Sequence, residues 1–362
     1  MRMIFHHPLP VRPDAQAASG IRPFQMMEAF RSLGFEIDAV CGYSAERARA
    51  IDAVYRKLRQ GVRYDFVYSE SSTEPTLLTD RHHLPLHPLL DFGLFARAKT
   101  YRIPVGLFYR DVYWRFPGYA VHLPAWKRAV ARMFYRYDLF QYARLVDRLY
   151  LPSMEMARHV PGIETGRFAS LPPGFAGRSL PQRPSGRLRL LYVGGFGEHY
   201  RMHAVVRALA DLSEVDLVIC TRESEWLSAR DDYPLPSAGN VRVVHCSGSQ
   251  VDELLAESDI GVLCVEPQPY WKFAVPLKLY EYLGAEKPVL ASAGTLAAEF
   301  TIAQGIGWSV PYDALQIGEL LRRIAADRSI LQQKIAALRR VKHEHTWQVR
   351  AHQVASDLVD LR

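Results

Sequence analysis

The sequence predicts an α/β protein of two successive domains, each a doubly wound parallel sheet. Three observations predict it. The 362 residues exceed one ordinary core and suit two domains of roughly 100–200 residues each. Short β-branched runs alternate with helical patterns through both halves, the mark of a parallel sheet covered on both faces. Between the halves, PPGFAGRSLPQRPSGR is rich in Pro, Gly, Ser and Arg and has no apolar period, as an interdomain linker would be.

The first half runs as a strand MIFHH, a helix over PFQMMEAFRSLG, a strand FEIDAVCG, a helix from Ser44 to Gln60 and a strand YDFVYSE. Strands VGLFYRD and RLYLPS follow, separated by a long aromatic and basic helix, and RFASLPP closes the half. In the second half LRLLYVGG, VDLVICT, VRVVHC, IGVLCV and PVLAS read as strands, with helices at His203 to Asp211, Val251 to Glu257 and Pro276 to Gly284. From about Leu315 the pattern is helical, broken only around Lys342 to Thr346. The expected domains are 1–172 and 188–340, with a linker at 173–187 and a terminal helical segment at 341–362.

Composition bounds the function. With 49% apolar and 23% charged residues the chain has the make-up of a packed protein rather than a disordered one. No run reaches the roughly 18–20 apolar residues that span a bilayer, and MRMIFHHPLP lacks a signal-like apolar region, so a cytoplasmic location is expected. Cys41, Cys220, Cys246 and Cys264 stand apart in β-branched surroundings and read as reduced core residues, not metal ligands. The net charge of +7 calls for an anionic partner. It is concentrated between Leu94 and Arg148, where eleven Lys or Arg face three acids.

Two stretches carry nucleotide-binding chemistry. In YVGGFGEHYRMHAVVRALA a strand ends at Val193, and Gly194, Gly195 and Gly197 precede a helix. Such a turn lets backbone N–H groups approach a diphosphate at a helix N-terminus, although GGFG does not meet the full GxGxxG spacing. An ordinary tight turn is the alternative. In FAVPLKLYEYLGAEKPVLAS a helix starting near Pro276 places Lys278 in its first turn and Glu281 on the same face. A cation at a helix N-terminus is unfavourable unless an anion is bound there with it. An exposed Lys–Glu pair is the competing reading.

Two further features are open between roles. His6 and His7 end the first strand, where ligands of α/β sheets bind, while His82, His83 and His122 suit surface or structural positions. No metal-ligand spacing appears, so no metal or cofactor is expected. The stretch 125–148 interleaves Arg and Lys with Trp126, Phe134, Tyr137 and Phe140; it reads either as a helix lying on an anionic membrane or as one packing its aromatics and solvating its arginines. Nucleic acid is not indicated, since no known binding motif accompanies the charge.

The segment Pro276–Ser292 resembles the PxKxxEYLAxGKPVIAS stretch of retaining glycosyltransferases of the family-four type. YVGGFG is similar to that family's glycine loop, SLPPG at 170–174 to its IPNG, YRDVYW at 109–114 to its RDLWP, and ASGIRPFQMMEAF at 18–30 to its first loop and helix. The resemblance implies the GT-B fold, two Rossmann-like domains facing a central cleft, with a last helix crossing back to the first domain. It implies that Lys278 and the Gly194–Gly197 turn hold the donor diphosphate and Glu281 the ribose, with Gly20, Arg22, Arg110 and Asp111 on the acceptor side. The family's second glutamate is replaced by Phe273, for which Glu266 or Tyr270 would substitute. His199 and Arg201 are the nearest replacements for its basic pair. The expected activity is metal-independent transfer of a sugar from a nucleotide diphosphate to a hydroxyl of a saccharide or lipid-linked acceptor, with retention, in surface polysaccharide or glycoconjugate assembly. Catalysis then falls to Lys278, with Asp111 and then His7 as bases for an inverting reaction. A nucleotide-sugar epimerase of the same fold and an inactive nucleotide-sugar-binding scaffold are the alternatives.

Overall fold

The computed structural model describes residues 1–15, 17–121, 123–177, 186–197 and 200–361. The chain forms two compact units, Met1–Pro173 with Trp347–Arg362 and Gly174–Thr346. Within the expected linker, residues 178–185 lie outside the described ones. Phe175 already belongs to the second unit: its N–H bonds the His345 carbonyl at 3.1 Å, and its ring fills the space where a side chain on Gly284 would stand.

In the first unit, strands β1 (Arg2–His7), β2 (Glu36–Cys41), β3 (Phe66–Glu70), β4 (Val105–Phe108), β5 (Arg148–Leu151) and β6 (Phe168–Ser170) form one sheet. Its order is β2-β1-β3-β4-β5-β6, and every pairing is parallel. Helices α1 (Ala18–Ser32), α2 (Ser44–Arg59), α3 (Leu90–Thr100) and α4 (Ala125–Leu145) connect the strands. β3 and β4 are buried along their whole length, as strands covered on both faces must be.

In the second unit β7 (Leu188–Val193), β8 (Val215–Cys220), β9 (Val241–Val244), β10 (Ile260–Leu263), β11 (Val289–Ser292) and β12 (Gly307–Val310) alternate with α5 (His203–Ala208), α6 (Glu223–Ala229), α7 (Ser249–Glu257), α8 (Leu277–Gly284) and α9 (Leu296–Ala303). After β12 come α10 (Ala314–Ala326) and α11 (Ser329–Val341). The sheet order is β12-β11-β10-β7-β8-β9, again all parallel. Winding runs outward in both directions from β7 and β10 in this sheet, and from β1 and β3 in the other. Ligands of open α/β sheets bind beyond the carboxyl ends of strands at such reversal points.

The last helix, α12 (Trp347–Val359), returns to the first unit. Gln353 donates to the Ser170 carbonyl at 2.9 Å and Arg350 to that of Pro173 at 3.2 Å. Leu358 packs so closely over Gly106 in β4 that a Cβ there would lie 2.8 Å from its Cδ1.

The first helix differs from the sequence expectation. It begins at Ala18 and carries Pro23 inside it, not at its start. Proline has no N–H to give the Ser19 carbonyl one turn back. The Arg110 guanidinium takes the freed Ser19 carbonyl at 3.3 Å and reaches the neighbouring Ala18 carbonyl at the same distance.

Candidate active site

At the reversal point of the second sheet, β7 ends in the turn Gly194–Gly197 and α8 follows the loop after β10. Gly194 has φ +136° and Gly197 φ +118°, a region open to glycine and strained for other residues. The turn is pinned by side chains: the Tyr192 hydroxyl donates to the Gly195 carbonyl, and Glu225 accepts from the Phe196 N–H at 2.9 Å. Tyr282 fixes α8 to β7, accepting from the Val193 N–H at 3.0 Å and donating to the Leu191 carbonyl at 3.1 Å. Its ring lies flat on Gly261, where a Cβ would come within 2.3 Å. Only glycine in β10 lets the helix approach this closely.

That docking delivers Lys278 to the turn. Pro276 is the extended N-cap of α8, so Lys278 is the second helical residue. Its ammonium donates to the Tyr192 hydroxyl at 2.9 Å and lies over two aromatic faces, 4.2 Å from the centre of Tyr192 and 4.6 Å from that of Tyr200. No carboxylate forms an ion pair with it among the described residues. Burial therefore dominates: the amine is pushed down to about 7, opposed by the charges of Glu281 and Glu225. Burial likewise pushes the Glu281 carboxyl up, and Lys278 restrains it. The pair share a face and feel each other without touching, so the amine's donors remain available to an incoming anion.

Two spaces flank the turn. One of about 20 Å³, lined by Tyr192, Tyr200, Trp271, Pro276, Lys278 and Thr295, has room for little more than one water molecule. The other, about 570 Å³ and open, is lined by Phe196, Gly197, Arg201, His203, Glu225 and Tyr233, and is of small-molecule size. His203 stacks on Tyr233 there at 4.1 Å. Arg201 sits at its rim, paired with Glu266 at 3.4 Å, and His199 lies outside the described residues. Phe273 is buried and packs on Tyr270 at 5.2 Å; the position of the family's second glutamate is part of the core in this chain.

The first sheet's reversal point carries a buried polar network. His6 bridges Ser69 and Asp91 at 2.8 Å each. Asp91 is also gripped by Arg47 through two bonds of 2.7 and 3.0 Å. Burial raises its carboxyl, but the bond from His6 and the Arg47 charge outweigh that and hold it below its ordinary value. His7 bonds the Glu70 carbonyl through Nδ1 at 2.9 Å. A carbonyl only accepts, so Nδ1 carries the proton and Nε2 presents a lone pair. Burial first, and then the Arg110 charge, push His7 down to about 3, and the ring is neutral at neutral pH.

Glu70, fully buried, gathers Arg22 and Arg110. It accepts from Tyr68 at 2.8 Å, from Arg22 Nε at 3.1 Å and from Arg110 at 3.5 Å. The Arg22 guanidinium stacks on Phe108 at 3.4 Å. Asp111 caps the following turn, accepting from the Tyr113 N–H at 2.7 Å. Gly20 stands inside the first turn of α1, not in a glycine-rich loop. Sequence reasoning missed Tyr192, Tyr200, Glu70, Asp91 and Arg47. An acid closing a wholly buried strand, as Glu70 does, was the one available signal.

No family model matches the sequence, and no curated protein matches it. Solved structures do. HepE of Anabaena in complex with UDP superposes with a TM-score of 0.67 at 12% identity, over 99% of this chain and 100% of that one. Sucrose-phosphate synthase of Thermosynechococcus elongatus gives 0.66 at 15%, over 100% and 99%. WaaG, a glycosyltransferase involved in lipopolysaccharide biosynthesis, gives 0.60 at 15%, over 99% of each chain. At such identities the likeness defines the fold. The fold is GT-B.

Among the described residues no group of three or more His, Cys, Asp or Glu is placed to hold a metal ion, and no helix is long and apolar enough to cross a membrane.

Proposed function

We propose that the chain is a glycosyltransferase of the retaining family-four type, using a nucleotide diphosphate-sugar without a metal ion. It works in the cytoplasm on a saccharide or lipid-linked acceptor, in surface polysaccharide or glycoconjugate assembly. The observation that carries this reading is the Lys278 amine, held over two tyrosine faces beside a glycine turn, with no carboxylate ion-paired to it among the described residues, at the reversal point of the second sheet.

In the transfer, the bond from the anomeric carbon to the diphosphate breaks and a bond to the acceptor oxygen forms. The acceptor's proton passes to the departing phosphate, which leaves with negative charge. Lys278 and the backbone N–H groups of the Gly194–Gly197 turn would stabilise that charge, and preorganised donors of this kind lower such barriers most. Glu281 would accept from the ribose hydroxyls. The acceptor would be taken by the first unit, with Arg22, Arg110 and the Nε2 lone pair of His7 as its polar contacts. Asp111 and His7 serve as bases only if the reaction inverts.

The test is release of nucleoside diphosphate from UDP-, GDP- and TDP-sugars, with and without saccharide acceptors. Slow release that Lys278→Ala reduces by about a hundredfold or more is expected. Isomerised nucleotide sugar in place of release would mean an epimerase, and binding without turnover a scaffold.

A further inference from the structure

Large apolar side chains are exposed very unevenly. Among the described residues twenty are exposed, and nine of them fall in two short segments of the first unit, three in 84–89 and six in 121–140. On α4, Trp126 is 64% and Phe140 55% exposed, and Val130 and Met133 lie between them. Their spacing of four, three and seven residues puts them along one helix face. The opposite face, Tyr135, Asp138, Leu139 and Tyr142, is buried against the unit.

Charge is arranged around the stripe. Lys127 lies 5.6 Å over the Trp126 ring and Arg144 5.2 Å over Phe140, and Arg128, Arg132 and Arg136 share the helix. The one acid of α4, Asp138, is buried, and burial pushes its carboxyl up to about 7. The exposed helix surface is therefore cationic and apolar with no acid. Leu84, Leu86 and Leu89, all more than half exposed, lead into α3. In its first turn Phe92, three residues after Leu89, meets Tyr137 of α4 at 5.6 Å.

We propose that this face seats the first unit on an anionic membrane surface. Aromatic and aliphatic anchors would enter the boundary between headgroups and acyl chains while the flanking cations meet acidic headgroups. A second copy suits the face poorly, because pairing would oppose like charges. Nucleic acid would answer the cations and leave the leucines, Val130 and Met133 in water. The proposal stands whether or not the chain transfers sugars.

The experiment is co-sedimentation of the full chain with phosphatidylcholine vesicles, with and without phosphatidylglycerol, at low and high salt. Binding is expected only to the anionic vesicles, with release by salt. Lys127→Gln, Arg136→Gln and Arg144→Gln together should weaken it by about a hundredfold, at roughly fivefold per cation. Trp126→Ser with Leu86→Ser and Leu89→Ser should weaken it at unchanged charge. Melting temperature and binding of a nucleotide sugar report that each variant is folded. Absence of binding by the wild-type chain, equal binding to neutral vesicles, a concentration-dependent dimer that the serine variants abolish, or capture of RNA in place of vesicles would each overturn the proposal.

Discussion

Gly194→Ala tests the geometry of the amine directly. The residue has φ +136°, and holding alanine in such a conformation costs about 1–3 kcal/mol. The new methyl would lie 2.5 Å from the Lys278 Nζ and 2.8 Å from its Cε, well inside contact distance. The fold survives, because the obstructed group is the end of a flexible side chain. The amine does not keep its place over the two tyrosines. Losing one charge-assisted hydrogen bond to a diphosphate costs about 1.5–3 kcal/mol, or roughly ten- to 150-fold in affinity. Lys278→Met should lose a similar amount. If the methyl acts by moving the amine, the double variant binds no more weakly than Lys278→Met alone, a coupling of the same 1.5–3 kcal/mol. Calorimetric titration with the nucleotide sugar found in the release assay, on all four proteins of the cycle, measures it. Losses that add to within about 0.5 kcal/mol would refute the placement of Lys278 at the diphosphate.

Further outcomes follow from the titrating groups. An anion bound at Lys278 would raise its amine above the value of about 7 in the empty site; affinity for a nucleotide sugar is then full below pH 7 and falls up to tenfold per unit above it, whereas Lys278→Met should show a flat profile over the same range. The Asp138 carboxyl is held at about 7 by burial, above its ordinary 3.8, so its contribution to stability is full below pH 4 and is lost as pH rises through 7. Urea unfolding between pH 5 and 8 should show a weaker dependence in Asp138→Asn, and an equal slope would contradict the assignment. Arg47→Ala strands the buried Asp91 carboxylate and should cost about 3–5 kcal/mol by urea unfolding; a loss below about 1 kcal/mol would show that the network is not structural. The His7 ring should stay neutral, with its proton on Nδ1, at pH 5 in a nitrogen-15 spectrum.

Most of both sheets was readable in the sequence because parallel strands buried on two faces are written as nearly continuous apolar runs, and LRLLYV, VDLVIC and IGVL became β7, β8 and β10, while the edge strand β12 was not read. The glycine turn and Lys278 announced themselves for a similar reason: glycine at a strand end and a cation in a first helical turn are local oddities. The amine's surroundings were not local. Tyr192 is 86 residues away along the chain, and no periodicity links two residues joined only by the sheet's winding. The start of α1 was misread for the same cause, since a proline beyond a helix's first turn leaves a carbonyl unpaired, and here a distant group, Arg110, takes it. Phe273, read as a missing glutamate, is a packing residue whose burial nothing in its immediate neighbours disclosed.

The return of α12 to the first unit has a consequence for the chain as it is made. Strands β1 to β6 leave the ribosome first, yet the surface that Leu358 and Trp347 cover stays bare until the whole of Gly174–Thr346 has been synthesised. At ordinary elongation rates that is roughly ten to forty seconds. The second unit is continuous in sequence, and the bridge between Phe175 and Thr346 joins its two ends, so it closes first. The unit begun earliest is finished last, and for that interval its apolar side is a surface for a chaperone or for aggregation.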